Sequence, residues 1–452
     1  MALLAIHNAR LVTGTWERPG GIVVGDDGRI EALVEADARP DAETVIDARG
    51  RLLFPGFIDA HVHMRDPGYA HKETFATGTM AAACGGVTTV MCMPNTDPPA
   101  DSAEGIEAMR AAGEGTSLVD FTIQAGVTQD NIADIPALWD MGVTSFEALL
   151  SDAPASMLLD SDGLIRAAEA VAACGGVIGV YTGEPALVEA ALDRLAGRTD
   201  FAAFAEARAP LGEAMGLARL IEIARATKAR IVARQVCTAR GFAMIEAARG
   251  DDPSVSIAAE VTPHHFSLDT GAVERHGPFA LMVPPLRGPD DREASRKALG
   301  SGAADFVGSD HAPHAFDEKN RPSPWDVPGG TPGLDTIVPA TVDLAAAGEI
   351  PWTRVAAALC SVPARLFGIA DRKGRLAAGA DGDLVLIDPG LSRTVDAGSI
   401  RSRAGRSPFE GTTLTGWPVL TVLRGRPIAE DGRYVGDEPR GRWLRRGAVD
   451  WS

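Results

Sequence analysis

The sequence predicts an α/β protein, in which a closed (β/α)8 TIM-type barrel lies beside a small β-sandwich domain built from both chain ends. Eight short apolar runs alternate with long Ala-rich stretches of helical period, a pattern typical of parallel strands joined by crossover helices. Eight such units between residues 53 and 370 favour closure into a barrel. An open, doubly wound sheet is the alternative, but no G-x-G-x-x-G follows any strand.

The elements follow from local patterns taken in chain order. Residues 1–52 are the predicted N-terminal part of the β domain, with strands at 5–12, 21–24 and 30–34 separated by turns. Residues 53–370 are the predicted barrel. Its strands are expected at 52–63, 87–94, 118–127, 144–150, 177–181, 230–236, 255–262 and 305–310.

Residues 371–452 return to β character and supply the C-terminal part of the β domain and a tail. Strands are predicted at 383–388, 419–424 and 427–430. Residues 434–452 are rich in Arg and Gly with few apolar anchors, so this tail is expected either to wrap a neighbour or to be loose.

Composition excludes several classes of protein. The net charge of -18 and the pI near 5.0 give no support to binding of nucleic acid or an anionic membrane. The five cysteines show no C-x-x-C spacing and predict reduced, buried residues of a cytoplasmic protein. The N-terminus lacks a basic region and soon turns polar, so we interpret it as a strand, not a signal peptide. We also expect no membrane span.

The main candidate metal ligands are His61 and His63, which form an H-x-H motif at the end of the first barrel strand. Side chains alternate along a strand, so both imidazoles point to one side and can grip one metal ion. The alternative is a pair of hydrogen-bonded structural histidines. Six of the nine histidines fall at the ends of strands 1, 7 and 8, where a barrel of this kind places its active site.

Several further motifs resemble those of the cyclic amidohydrolases, the group of dihydroorotases, hydantoinases, dihydropyrimidinases and allantoinases. The matching text includes P-G-F-I-D-A-H-V-H-M-R-D-P-G (55–68), M-P-N-T-D-P-P (93–99), A-E-V-T-P-H-H-F (259–266), P-P-L-R (284–287) and D-H-A-P-H (310–314). The Arg65 and M-P-N-T features look most like dihydroorotase. The resemblance implies that Arg65, Asn95 and His265 hold a substrate carboxylate. For Arg65 the alternative is a buried salt bridge with Asp66 or Glu73.

The chain departs from the family at the metal site. The family bridges two metals with a carboxylated lysine on strand 4, where this chain has Glu147, and none of its five lysines lies on a barrel strand. Strands 5 and 6 normally supply one histidine each, and this chain has Thr182 and Gln235 there. Val283 replaces an asparagine before P-P-L-R. The resemblance therefore implies one divalent metal, zinc by preference, held by His61, His63, Asp310 and Glu147.

The sequence does not decide whether the Glu147 side chain is long enough to reach the metal. Its carboxylate is closer to the backbone than that of a carboxylated lysine, so it either binds the metal or pairs with a neighbour or with water. His61, His63, Asp310 and a water would still make a four-coordinate zinc site.

Two functions of different classes follow. The first is a hydrolase of a cyclic amide or imide, in which Asp310 shuttles the proton and an anionic cyclic amide undergoes reversible ring opening. The second is a non-catalytic homologue that serves as a scaffold or binding protein. A third possibility keeps catalysis but changes the substrate, so that Gln235, Thr182 and Val283 line a pocket.

Other residues near these strand ends are secondary candidates. The weaker ones are His264, His265, His311 and His314. Of these, His265 is placed to reach the substrate carboxylate, and His311 and His314 are suited to orienting Asp310 or the loop. Residues 315–333, rich in Pro and Gly, are predicted to form a lid over the site. For the assembly we expect a homodimer or homotetramer.

Overall fold

Strands from both chain ends and from the middle of the chain form separate sheets in the computed structural model, which describes residues 1–152 and 155–451. The strands are β1 (Ala2–Val12), β2 (Glu17–Val24), β3 (Ile30–Val34), β4 (Ala42–Asp47), β5 (Leu52–Pro55), β6 (Phe57–Val62), β7 (Val87–Cys92), β8 (Asp120–Ile123), β9 (Ala125–Val127), β10 (Phe146–Ala148), β11 (Val177–Tyr181), β12 (Arg230–Arg234), β13 (Ile257–Val261), β14 (Phe306–Val307), β15 (Leu384–Thr394), β16 (Thr413–Leu423), β17 (Arg426–Glu430) and β18 (Arg433–Tyr434).

Parallel strands β6–β14 form the barrel in chain order. Two ladders, β6-β7-β8 and β9-β10-β11-β12-β13-β14, make up its wall, and β8 and β9 are two halves of one strand interrupted at Gln124. The ring closes where Val62 pairs with His311 and the His63 amide donates to the His311 carbonyl at 2.8 Å. The predicted closed barrel is confirmed, and the end of its first strand lies beside the end of its last.

The α-helices that join and cover the strands are α1 (Phe75–Gly85), α2 (Ala103–Gly113), α3 (Ile135–Asp140), α4 (Ser161–Ala173), α5 (Pro185–Leu195), α6 (Ala202–Ala207), α7 (Pro210–Thr227), α8 (Ala239–Asp251), α9 (Pro263–Ser267), α10 (Gly271–His276), α11 (Pro289–Ser301), α12 (Phe316–Lys319), α13 (Ile337–Ala346), α14 (Trp352–Ala356) and α15 (Val362–Leu366). Local sequence sets their ends: Thr74 caps the start of α1, and Gly86 ends it with a φ of 94°, a value that favours glycine. Within the described ranges, no helix combines the length and apolar composition needed to cross a membrane.

The β domain is built from both chain ends, as predicted. Its strands hydrogen-bond in the order β18-β17-β16-β15-β5-β1-β2-β3, with β4 pairing on β1. A separate core of aliphatic side chains, including Leu4, Ile6, Leu384 and Val422, holds the two ends together. Burial of such side chains is the main stabilising contribution to a domain of this kind.

The predicted strand at 52–63 divides into two at Gly56. Strand β5 pairs with β1 and β15 in the β domain, whereas β6 begins the barrel. At Gly56 the backbone amide donates to the Asp383 carbonyl at 2.7 Å, and a Cβ there would collide with the Thr88 hydroxyl. One apolar run therefore serves two domains because a glycine lets the chain pass closely between them.

The C-terminal tail packs on the chain's own barrel. The Leu444 amide donates to the Phe121 carbonyl at 2.8 Å, and the Arg442 amide donates to Asp120 Oδ1 at 2.9 Å. Trp451 Nε1 donates to the Leu366 carbonyl at 3.1 Å. The expectation of a loose tail is wrong for the described residues, because its backbone groups find partners beside the barrel strands and helices.

Candidate metal centre and active site

His61, His63 and Asp310 meet where the first and last barrel strands end. One ligand atom from each lies within 4.8 Å of the others. The Nε2 atoms of His61 and His63 are 3.3 and 3.2 Å from Asp310 Oδ1. All three side chains are buried or nearly so, with exposures of 4, 12 and 6%. The structure thus brings together two nitrogens and one oxygen, a donor set typical of zinc.

In each of these three side chains, the polar atom that does not face the other two forms a hydrogen bond with a neighbouring residue. His61 Nδ1 donates to Glu260 Oε1 at 2.7 Å, and His63 Nδ1 donates to Asn95 Oδ1 at 2.6 Å. Gln235 Nε2 donates to Asp310 Oδ2 at 2.6 Å. These contacts fix the histidine tautomers and leave both Nε2 atoms and Oδ1 facing one another, as ligand-orienting partners do.

The backbone at these strand ends is unusual. Arg65, Gln235 and Asp310 have φ values of 60, 56 and 47°, in the left-handed region that residues other than glycine rarely adopt. Such conformations persist only where the surroundings impose them, and they cluster at functional sites. Here they turn three polar side chains towards one space.

The residues present fit a divalent cation. With the Nδ1 protons committed to Glu260 and Asn95, the two Nε2 lone pairs and the Asp310 carboxylate converge with no donor between them. Burial lowers the pKa of His63 to about 4 and keeps that imidazole neutral. A cation between the three donors removes the repulsion among them.

Glu147 lies outside this cluster. Its Oε1 is 2.5 Å from Arg234 Nη2, its Oε2 is 3.1 Å from Arg234 Nε, and Ser145 Oγ also donates to Oε1 at 2.7 Å. The sequence left open whether Glu147 binds the metal or pairs with a neighbour. In the structure it pairs with Arg234. The expectation of a fourth protein ligand is corrected accordingly, since this carboxylate is fully used by a guanidinium.

Arg65 lines the cavity with little to balance its charge. Its Nε donates to the Pro313 carbonyl at 3.3 Å and its Nη2 lies 3.4 Å from His314 Nε2. No carboxylate within the described part of the chain forms an ion pair with it, and burial lowers its pKa to about 10. Glu73, the alternative partner, instead pairs with His311 at 3.4 Å. A buried guanidinium without a salt-bridge partner is suited to binding an anion.

The other two predicted substrate contacts differ from each other. Asn95 lines the cavity, with its amide oxygen accepting from His63. His265 does not line it: Nδ1 is bonded to the Thr262 hydroxyl at 2.6 Å and Nε2 to the Pro284 carbonyl at 3.2 Å. The expected contact of His265 with substrate is corrected, because the chain turns into the short helix α9 after strand β13 and buries this ring.

The cavity above the three ligand residues has a volume of about 710 Å³. Its lining includes the polar residues Arg65, Asn95 and Gln235 and the apolar residues Phe204, Trp325 and Val327. Trp325 and Val327 belong to the segment 315–333, which the sequence predicts to be a lid. That segment forms part of the cavity wall, and Trp325 Nε1 donates to the Arg198 carbonyl at 2.8 Å.

Lys319 links this segment to a neighbouring part of the chain through hydrogen bonds. Its Nζ donates to the Leu281 carbonyl at 2.7 Å and to the Pro328 carbonyl at 3.0 Å, and the side chain is buried. Burial lowers its pKa to about 7. The two carbonyls match the two protons of a neutral amine.

Lys319 therefore gives a testable pH dependence. Its pKa is about 7 in the folded protein and ordinary when unfolded, so the unfolded chain binds the extra proton between these values. The free energy of unfolding should rise as the pH rises above 7, by an amount that Lys319→Met loses. Chemical denaturation of both proteins from pH 6 to 9.5 measures it. Parallel pH profiles for the two proteins would contradict the assignment.

Sequence reasoning missed the charged residues beneath the ligands. Arg234 and Glu260 sit on β12 and β13 with side-chain exposures of 2 and 0%, and Gln124 interrupts β8/β9. His264 Nε2 is buried with no hydrogen-bond partner in the described residues. An arginine inside the apolar run 230–236 was the available signal, because an arginine is rarely buried without partners.

Comparisons with known proteins agree with this geometry. The sequence profile of the Amidohydrolase family matches residues 52–428. A dihydroorotase of Methanothermobacter thermautotrophicus is 35% identical over 442 residues, covering 98% of this chain and 97% of that protein. An L-hydantoinase of Paenarthrobacter aurescens is 30% identical over 450 residues, covering 98% and 97%. The solved L-hydantoinase (dihydropyrimidinase) of Arthrobacter aurescens has a TM-score of 0.95 and 28% identity, covering 99% of this chain and 100% of that chain.

Proposed function

The chain belongs to the amidohydrolase family, and we propose that it is a metal-dependent hydrolase of a C–N bond in a cyclic amide, with a mononuclear site and an anionic substrate. One observation carries the proposal. Three converging ligand residues form the floor of a cavity whose wall contains a buried guanidinium without a carboxylate partner. The relatives named dihydroorotase and L-hydantoinase support the reaction class.

His61 Nε2, His63 Nε2 and Asp310 Oδ1 would hold the ion, and two imidazoles with one carboxylate favour zinc. When bound, such an ion polarises the amide carbonyl and makes water a stronger nucleophile near neutral pH. Proton transfer and substrate binding in the proposed reaction are carried out by side chains of this chain.

Asp310 is the proposed proton shuttle. Its carboxylate takes a proton from the attacking water and returns it to the ring nitrogen as the C–N bond breaks, and the reverse sequence closes the ring. Gln235 holds Oδ2 at 2.6 Å and so fixes the plane of the carboxylate during both transfers. The Nε2 atoms of His61 and His63 lie 3.3 and 3.2 Å from the other oxygen.

Arg65 and Asn95 are the proposed substrate anchors. The guanidinium of Arg65 faces the cavity from the strand that also carries the two histidines, so an anion bound to it is held next to the reacting carbonyl. The Asn95 oxygen is occupied by His63 Nδ1, which leaves the amide nitrogen as the group that donates to substrate.

The experiment that tests this proposal is an assay of the metal-loaded protein on a panel of rings. Dihydroorotate comes first, followed by hydantoins, dihydropyrimidines, allantoin and cyclic imides, in the ring-opening and ring-closing directions. Turnover of a carboxylate-bearing ring is the expected result. If the loaded protein turns over none of them, and His61→Ala leaves a protein complex isolated with the wild type intact, a scaffold function replaces the proposal.

A further inference from the structure

A buried cluster of charges lies directly beneath the three ligand residues. Arg234 Nη2 is 2.5 Å from Glu147 Oε1, and Arg234 Nη1 is 2.6 Å from Glu260 Oε2. The three side chains are between 0 and 2% exposed. They come from barrel strands β10, β12 and β13, so they link three parts of the barrel wall.

Every hydrogen bond that the Arg234 guanidinium donates goes to an oxygen atom, and the centre of the Phe367 ring lies 5.4 Å from its Cζ. Its nitrogens make five contacts, with both oxygens of Glu147, Oε2 of Glu260, Oε1 of Gln124 at 2.6 Å and the Ala60 carbonyl at 3.2 Å. Five is the number of N–H donors that a guanidinium has. The surrounding residues thus form a complete oxygen cage around one cation.

The barrel leaves room for this cage by using glycine. A Cβ at Gly179, on β11 between the strands of Glu147 and Arg234, would collide with the Glu147 carboxylate and lie 2.6 Å from Arg234 Nε. A Cβ at Gly308 would lie 2.8 Å from Glu260 Oε2 and 2.9 Å from His61 Cβ. The barrel interior is therefore shaped around the cluster, and Glu147 is held away from the ligand residues by it.

Glu260 connects the cage to the proposed metal centre. One of its oxygens accepts from Arg234, and the other accepts from His61 Nδ1 at 2.7 Å. The position of the guanidinium consequently sets the position of Glu260, which sets the ring orientation of His61. Such partners of a ligand histidine commonly change metal affinity by about 10- to 100-fold when removed.

We propose that Arg234 is a built-in cation that takes the place of a second metal ion and positions His61 through Glu260. The inference rests on the proposed one-metal function. Glu147 stands where the resemblance implies a metal-bridging group, and Arg234 directly precedes Gln235, which stands where it implies a ligand histidine. Oxygen cages of two carboxylates, an amide and a backbone carbonyl are also what hard divalent cations bind.

The test is to remove the guanidinium and offer a divalent ion in its place. Arg234→Ala empties the cage, whereas Arg234→Met fills it with an apolar side chain and serves as the matched control. Each zinc-loaded protein is dialysed against Mn²⁺, and total metal per chain and Tm are measured with and without Mn²⁺. We expect one metal in the wild type, two in Arg234→Ala and one in Arg234→Met. Only Arg234→Ala should gain in Tm from Mn²⁺.

A second readout concerns the metal centre itself. In Arg234→Met and in Glu260→Gln, the affinity of the His61–His63–Asp310 site for Zn²⁺ should fall by about 10- to 100-fold. Arg234→Lys, which keeps the charge, should recover part of that loss. An unchanged Zn²⁺ affinity in all three variants, or an Arg234→Ala protein that binds one metal and shows no Mn²⁺-dependent Tm, overturns the proposal.

Glu147→Gln gives an independent prediction if Arg234→Ala does not fold. Glutamine keeps the size of the side chain and an oxygen acceptor for Arg234, so the protein should fold and still bind one metal per chain. Elemental analysis checks it, with Glu213→Gln, another buried glutamate beyond the cage, as the control. Loss of the metal in Glu147→Gln alone would make Glu147 a ligand and overturn the inference.

The proposed function can fail separately from this inference. A wild-type protein that binds no zinc and turns over no substrate contradicts the function. A wild type that binds one zinc, with variants of Arg234 that behave like it, contradicts only the role of the guanidinium.

Discussion

Asp310→Asn is expected to lower turnover by about 10²–10⁴-fold while the fold persists, because general acid–base groups commonly contribute that much. Asparagine keeps the size and shape of the side chain but removes the charge and the basic oxygen. Steady-state kinetics on the ring that the wild type prefers measures the effect, and the loss should appear in kcat.

The neighbours of Asp310 require a control in this experiment. Gln235 Nε2 already donates to one oxygen, so the new NH2 group faces either Gln235 or the two histidines. Zinc content is therefore measured in the same samples and turnover is expressed per bound zinc. Wild-type turnover per zinc in Asp310→Asn would show that another group moves the proton.

Arg65→Ala is expected to reduce kcat/KM for carboxylate-bearing rings by roughly 30-fold or more, since loss of one partner from a buried charge pair costs about 2–5 kcal/mol. Neutral hydantoins and dihydropyrimidines should be affected far less, because they offer the guanidinium no negative charge. The ratio of the two effects, measured on matched anionic and neutral substrates, is the result that matters.

Arg208→Ala is the matched control for Arg65→Ala. Arg208 lines the same cavity, but its Nη2 is paired with Asp152 Oδ1 at 2.6 Å. Its removal should not separate anionic from neutral rings as Arg65→Ala does. Equal losses on both substrate classes in Arg65→Ala would contradict the anchor role.

The sequence predicted best what depends on strand order and side-chain alternation. His61 lies near the end of β6, His63 follows that strand directly, and Asp310 follows the last strand, so barrel closure brings the three together. The unpaired state of Arg65 could not be predicted in the same way. Arg65 lacks Glu73 as a partner because that carboxylate pairs with His311, which lies 238 residues further along the chain.

The cage around Arg234 could not be predicted because its members are distant in sequence. Glu147 precedes Arg234 by 87 residues and Glu260 follows it by 26, and each is unremarkable on its own strand. Only the packing of the three strands shows that one guanidinium pairs with both carboxylates. For the same reason the short reach of Glu147 left two outcomes open until its partner was located.

For His265 the strand was predicted correctly, but the position of the side chain was not, because the backbone turns directly after the strand. The strand ends as predicted near Val261, but Pro263 begins a helical turn that carries the ring away from the cavity. The division of residues 52–63 at Gly56 has a similar origin. In both cases a single backbone feature decides where several side chains lie.

The number of metal ions bound per chain distinguishes a catalytic centre with one metal ion from a two-metal centre and from a protein without metal. Protein purified without added metal, and the same protein after reconstitution with Zn²⁺, should be analysed for metal per chain. We expect one divalent ion per chain, and we expect His61→Ala to lose it. Two ions per wild-type chain, or none after reconstitution, would contradict it.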